Sequence, residues 1–107
     1  MYKVQITPHW TIGSNAGQSL DMSALLGLLA SIQKTGSIAQ AAQTVGLSYR
    51  YAWGLLREGE QVFNEALMTK TRGQGTKLTP LADKLIWAER RVAARLSPTL
   101  ESLSSEL

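Results

Sequence analysis

The chain contains no cysteine, one histidine and one phenylalanine among its 107 residues. Without cysteine there is neither a disulfide framework nor a thiolate metal site. His9, beside the turn-forming Pro8, leaves a histidine-based metal centre or a nucleophile–histidine–acid triad without partners. No apolar run approaches the ~20 residues of a membrane-spanning helix. The first residues lack the basic-then-apolar order of a secretory signal, so a cytoplasmic location is expected. Gly73-Gln74-Gly75-Thr76-Lys77 lacks the spacing and the Lys-Ser/Thr ending of a phosphate loop, and it precedes a strand rather than a helix. The carboxylates are scattered among basic neighbours. Neither an enzyme nor a cofactor is expected.

What is present is a modest basic excess and a dense set of helix punctuation. The formal net charge is +3 and the isoelectric point about 9.5. The excess is localised. Residues 48 to 77 set Arg50, Arg57, Lys70, Arg72 and Lys77 against Glu58, Glu60 and Glu65, while basic and acidic residues balance from 78 onward. That placement suits a nucleic-acid footprint, although a solvated surface would carry similar charge.

Residues 36 to 57 read as two helices joined by a tight turn. Gly36 stops a first helix, whose apolar stripe is Met22, Leu25, Leu26, Leu29 and Ile32, capped near Asp21. Ser37 with Gln40 three residues on makes a capping box. Ile38, Ala41, Ala42 and Val45 share one face at helical spacing. Gly46 supplies a left-handed turn residue, Leu47 plugs the core, and Ser48 caps a third helix. Ala52, Leu55, Leu56, Val62 and Phe63 point that helix at the core. Such a pair of helices places the second in a DNA major groove.

Around this motif the pattern predicts a strand over Tyr2–Thr7, where Tyr2, Val4 and Ile6 alternate with polar residues, and a short return strand at Trp10 and Ile12. Gly13 to Gly17 reads as a loop. Residues 66–71 and 76–78 predict a hairpin with its tip at Arg72-Gly73-Gln74-Gly75, a wing directly after the recognition helix. Thr79 caps a long last helix with Pro80 at its first position. Its apolar residues continue further than so small a core can cover. Leu85, Val92, Leu96 and Leu103 are the expected dimerisation stripe, with Pro98 kinking the helix or opening a new one. The fold class expected is mainly α with small β elements. It is one domain over 1–107, with strand pair, helix-turn-helix and wing to about 78 and the dimerisation helix from about 79.

Ser48, Tyr49 and Arg50 occupy the first turn of the third helix, where Arg50 can pair bidentately with guanine. Tyr51 either reaches DNA or lies across the turn. Trp53 is expected to pack or to position its neighbours rather than read bases. Gly54, on the groove-facing side, either permits close backbone approach or is a tolerated helix glycine. Arg57 reaches a phosphate or pairs with Glu58 or Glu60. Arg72 at the wing tip is the candidate for minor-groove or phosphate contact. Lys70 and Lys77 are phosphate neighbours or edge-strand guards. Ser37 and Gln40 cap the second helix and can add phosphate contacts.

With these residues in hand, Gly36-Ser37-Ile38, Ala41-Ala42, Gly46-Leu47-Ser48-Tyr49-Arg50, Ala52-Trp53 and Leu78-Thr79-Pro80 resemble the N-terminal domain of ModE-type molybdate-responsive regulators, a branch of the LysR-related winged helix-turn-helix domains. The likeness runs over roughly residues 2 to 96, and Ser-Tyr-Arg-x-Ala-Trp is its most specific string. It implies a homodimer that binds double-stranded DNA at a partly palindromic operator and controls transcription. It assigns ligand sensing to a separate C-terminal domain, so no small-molecule effector site, molybdate included, is expected here. A regulator module separated from its sensor and a stand-alone regulator both fit. Gly59 stands where the family carries a larger apolar residue, which implies looser packing of the third helix. The wing tip is shorter than the family's, and Ala82 replaces its usual glycine. A winged-helix protein-interaction module and a nonspecific nucleoid-type binder are the competing functions.

Overall fold

Three short helices surround one apolar centre, and a fourth, much longer helix leaves it. The computed structural model describes residues 1–13, 17 and 19–107. The order is β1 (Thr11–Gly13), β2 (Ser19–Asp21), α1 (Met22–Thr35), α2 (Ile38–Thr44), α3 (Tyr49–Phe63), β3 (Met68–Thr71), β4 (Gly75–Leu78) and α4 (Pro80–Ser105). The strands form two separate antiparallel pairs, β1 with β2 and β3 with β4. This is the expected mainly helical winged helix-turn-helix.

The core is α1's. Leu25, Leu26, Leu28, Leu29 and Ile32 are fully buried, joined by Ala41, Ala42, Ala52, Leu56, Leu67 and Ala82. Small residues at 41, 42 and 52 let α2 and α3 cross closely. Asp21 caps α1, its carboxylate accepting from the Ala24 N–H at 3.1 Å. Gly36 ends it at φ 69°.

The α2–α3 turn is closed by backbone geometry. Gly46 adopts φ 75°. The Leu47 N–H donates to the Ala42 carbonyl at 2.9 Å and the Gly46 N–H to Gln43 at 3.2 Å. That pair of bonds is a Schellman closure, which satisfies carbonyls that a helix end leaves open. Val45, expected on the apolar face, is exposed, because the helix has already ended there. The capping box is half-formed. Ser37 Oγ accepts from the Gln40 N–H at 3.2 Å, but the Ser37 N–H donates to Thr35 Oγ1 rather than to Gln40.

Gly59 corrects another expectation. It is buried, and a Cβ built there would lie 2.8 Å from Leu25 Cδ2 and 2.9 Å from Leu67 Cδ1. The space of a larger side chain is filled from α1 and from the wing's base, so α3 is not loosely packed at this point.

The largest departure is at the N-terminus. Residues 2 to 7 form no strand. The pair that does form uses Thr11–Gly13 and Ser19–Asp21, with Ile12 opposite Leu20. The loop expected over Gly13 to Gly17 falls largely on 14–16, outside the described residues. Lys3 to Pro8 instead share a hollow with Ser97, Leu100, Glu101 and Ser104 of α4. The Tyr2 hydroxyl donates to the Leu107 carbonyl at 2.6 Å. The alternation specifies an extended segment, and here that segment runs beside a helix and not along a strand edge, with Val4 half-buried and Tyr2 and Ile6 exposed.

In α4, Thr79 caps and Pro80 opens the helix as expected, and Pro98 is accommodated inside it without ending it. Only its first turns are anchored in the core. Ala82 and Ile86 are buried, and Leu81 and Leu85 pack against the same core. Leu85, expected in a dimerisation stripe, thus packs against its own chain. Beyond it Val92 is half-buried, while Leu96 and Leu103 are 40% and 48% exposed.

Candidate nucleic-acid interface

Helix α3 presents a sharply divided surface. Ala52, Leu55, Leu56 and Gly59 face inward and are buried. Arg50, Arg57 and Gln61 lie on the opposite side, all exposed, and Gly54 sits between them at helical spacing. Ser48 fixes where the helix begins, its Oγ accepting from the Tyr51 N–H at 3.1 Å. The first turn therefore projects Tyr49 and Tyr51, each about half exposed. Tyr49 meets Trp53 edge to face, with ring centroids 6.2 Å apart and planes at 76°. Trp53 also packs against the core, in keeping with a positioning part. This aromatic pair holds one flank of the arginine row, and the i, i+4 spacing alone could have pointed to it.

Arg57 has Glu58 and Glu60 as acidic neighbours in sequence. Among the described residues neither Arg50 nor Arg57 is in ion-pair contact with a carboxylate, and the one contact of that kind sets the His9 imidazole 3.4 Å from Asp21. Glu60 is occupied elsewhere, its carboxylate accepting from the Leu67 N–H at 2.9 Å. Both guanidiniums are thus available to a partner.

The wing is tied to the helix-turn-helix at Gly36. The Thr76 N–H donates to the Gly36 carbonyl at 3.0 Å, and Thr76 is buried. A Cβ at Gly75 would lie 2.8 Å from that same carbonyl, and Gly75 has φ 72°. Here the close approach and the backbone conformation both require glycine. At the base, Thr79 Oγ1 donates to the Ala66 carbonyl at 2.7 Å. The hairpin register pairs Thr71 with Gly75, so the tip is Arg72, Gly73 and Gln74, closed by the Gln74 N–H on the Thr71 carbonyl at 2.9 Å. Sequence spacing gave no warning of the Gly36–Thr76 tie, a long-range backbone contact.

The docking brings parts of the expected site together. Ser37, Tyr49 and Lys70 line one cleft with Gly36, Gly75 and Thr76. Gln40 is exposed on α2, and Arg72 and Lys77 are exposed on the wing. None of the candidate DNA-contacting side chains is fully buried. Val92, Leu96 and Leu103 lie on α4, away from this cleft.

A two-helix reader followed by a hairpin docked beside it defines a winged helix-turn-helix DNA-binding domain. Residues 15–83 match the family model for bacterial regulatory helix-turn-helix proteins of the LysR family, and the chain belongs to that family of transcription regulators. It is 38% identical over 90 residues to a molybdenum-pterin-binding protein, MopB, of Rhodobacter capsulatus, covering 77% of this chain and 32% of that protein. It is 47% identical over 68 residues to the molybdenum transport protein ModE of Herbaspirillum seropedicae, covering 58% of this chain and 25% of that one. The chain thus spans between a quarter and a third of the length of these relatives.

Among solved structures, the CbnR DNA-binding domain in complex with DNA superposes with a TM-score of 0.64 at 16% identity, over 78% of this chain and 94% of that one. Full-length LysG of Corynebacterium glutamicum with bound effector Arg gives 0.64 at 24% identity, over 78% and 28%. At those identities the likeness concerns the fold.

Proposed function

We propose that this chain is the sequence-reading unit of a homodimeric, cytoplasmic transcription regulator that binds a partly palindromic operator. The single observation that carries the reading is the outer face of α3, where Arg50 and Arg57 stand exposed and without carboxylate partners beside the Tyr49–Trp53 pair. A protein-interaction module would not need two unpaired arginines on that face. A nonspecific binder rests on many phosphate contacts, more than a net charge of +3 supplies.

In this reading α3 lies in the major groove with Arg50 at a base edge. Ser48, Tyr49 and Tyr51 line its entry, Trp53 steadies it, and Arg57 reaches the backbone. Ser37, Gln40, Lys70 and Lys77 border the phosphates, and Arg72 carries the wing tip toward the adjacent backbone or minor groove. Residues 1–107 act as one unit. The dimer forms through α4, where Val92, Leu96 and Leu103 give an apolar stripe that costs roughly 25 cal/mol per Å² to leave in water. Two-fold symmetry then sets the recognition helices about 34 Å apart, or a multiple of that turn. No helix among the described residues is long and apolar enough to cross a membrane.

The test is selection of bound duplexes from a random DNA pool. A motif with two related half-sites is expected. Binding without enrichment would mean a nonspecific binder, and no retention of duplex would mean a module with another partner.

A further inference from the structure

Glycine inside a helix costs about 0.5–1 kcal/mol relative to alanine, and a fold that keeps one usually needs it. Gly54 is in the interior of α3. Its φ is not among the positive values, and a Cβ built on it would meet nothing within 4 Å beyond its immediate helical surroundings. Nothing in the chain itself asks for glycine there. The contrast lies one and a half turns along the same helix. Gly59 faces inward, and its absent side chain is replaced by Leu25 and Leu67. Gly54 faces outward, and its absent side chain is replaced by open space.

That space has a definite surround. On one flank Gly54 lines a hollow with Ser48, Arg50, Tyr51, Leu55 and Glu58. On the other it lines a hollow with Tyr49, Arg50, Trp53 and Arg57. Arg50 and Gly54 line both, and Gly54 follows Arg50 in the outward row. At Gly54 the floor is bare backbone, and the walls set the Tyr49, Tyr51 and Trp53 rings and Leu55 among Ser48, Arg50, Arg57 and Glu58. A small apolar group fits over the bare glycine among the rings, beside Arg50, which lines both hollows. In the major groove one base presents such a group, the 5-methyl of thymine.

We infer that Gly54 is a specificity-determining position that seats a thymine methyl beside the base pair read by Arg50. The inference rests on the DNA-reading function proposed above. Alanine at 54 brings a methyl of its own into the seat, so protein and DNA methyls compete for one space. The glycine is a stability cost carried for recognition.

The experiment is a methyl-for-methyl exchange on the full chain. Wild type and Gly54→Ala are each used to select from a random duplex pool, and their melting temperatures are compared. Gly54→Ala is expected to melt higher, to bind the wild-type motif about tenfold weaker, as for one mismatched base pair per site, and to lose a preference for T·A at one base pair per half-site. Replacing that thymine by deoxyuridine removes only the methyl. It should restore most of the affinity of Gly54→Ala and weaken wild type. An unchanged selected motif for Gly54→Ala, or an affinity loss that deoxyuridine does not relieve, would overturn the inference.

Gly27→Ala is the control, since Gly27 is also helical with open space at its Cβ position. It should raise the melting temperature and leave the motif intact. If both variants shifted the motif alike, stiffening and not the seat would be the cause, which also overturns the inference. Failure of wild type to enrich any motif would instead refute the DNA-reading function itself.

Discussion

Helices α3 and α4 each bury one side and expose the other, but they expose opposite chemistry. The outer side of α3 carries Arg50, Arg57 and Gln61 with tyrosines at its entry. The outer side of α4 beyond Leu85 carries Val92, Leu96 and Leu103. Trp87 stands exposed on α4 beside the arginines, with the Arg91 guanidinium 4.7 Å from its ring centroid. The first surface suits a hydrated polyanion, because its cations are free and its apolar rings are small walls. The second suits another apolar helix. One small core serves both by holding α3 along its whole length and α4 only by its first turns. By letting one helix outrun the core, a domain of this size exposes a second, partly apolar surface.

The largest effect that would sharpen this contrast is on stability. Leu56→Ala on the inward face of α3 should cost about 2–5 kcal/mol in urea unfolding. Leu96→Ala on α4 should cost less than about 1 kcal/mol in dilute solution, because a half-exposed leucine has little burial to lose. Equal costs would mean that α4 is held by its own chain throughout.

The next effect is on assembly. Val92→Glu combined with Leu96→Glu should leave the chain monomeric in sedimentation equilibrium at concentrations where wild type dimerises. A double variant that dimerises equally well would move the interface off this stripe. Smaller again, Arg72→Ala should weaken duplex binding without altering the selected motif. It should also lower the salt slope by about 0.9 per lost phosphate contact. Identical slopes would take the wing tip out of contact with phosphate.

The smallest effect concerns Glu89, half-buried on α4. Burial pushes its carboxyl above the ordinary glutamate range, and the neighbouring Arg90 pulls it partly back. The folded state therefore binds the proton more tightly than the unfolded chain does. Ionised Glu89 weakens the fold at neutral pH, and that penalty fades as pH falls through the raised folded value toward the ordinary one. Glu89→Gln should be slightly more stable than wild type at pH 7, with the difference shrinking in acid. A gap that widens in acid would contradict the direction.

Much of this is legible in the sequence. Gly36, Ser37, Gly46 and Ser48 act through local backbone chemistry, so the limits of α1, α2 and α3 follow from neighbours in sequence. Thr79-Pro80 announces α4 in the same way. What escaped depended on distance. Tyr2, Val4 and Ile6 specify an extended segment but not its partner, and the partner is the far end of α4. Gly59 looks like a gap until Leu25 and Leu67 are brought to it. Leu85 reads as part of a long stripe, and only the position of the core shows where the stripe becomes free. The candidate interface was legible by residue, since Arg50 and Arg57 follow from the helix cap. Its assembly was not, because the Gly36–Thr76 bond that sets the wing beside α2 joins segments forty residues apart.

The central claim is that the first turn of α3 reads bases. It is tested most directly by selecting duplexes from one random pool with wild type and with Arg50→Ala. The account predicts that wild type enriches a motif and that Arg50→Ala loses preference at one base pair per half-site, keeping the others. An identical motif bound uniformly more weakly by Arg50→Ala would contradict it, placing Arg50 on phosphate alone.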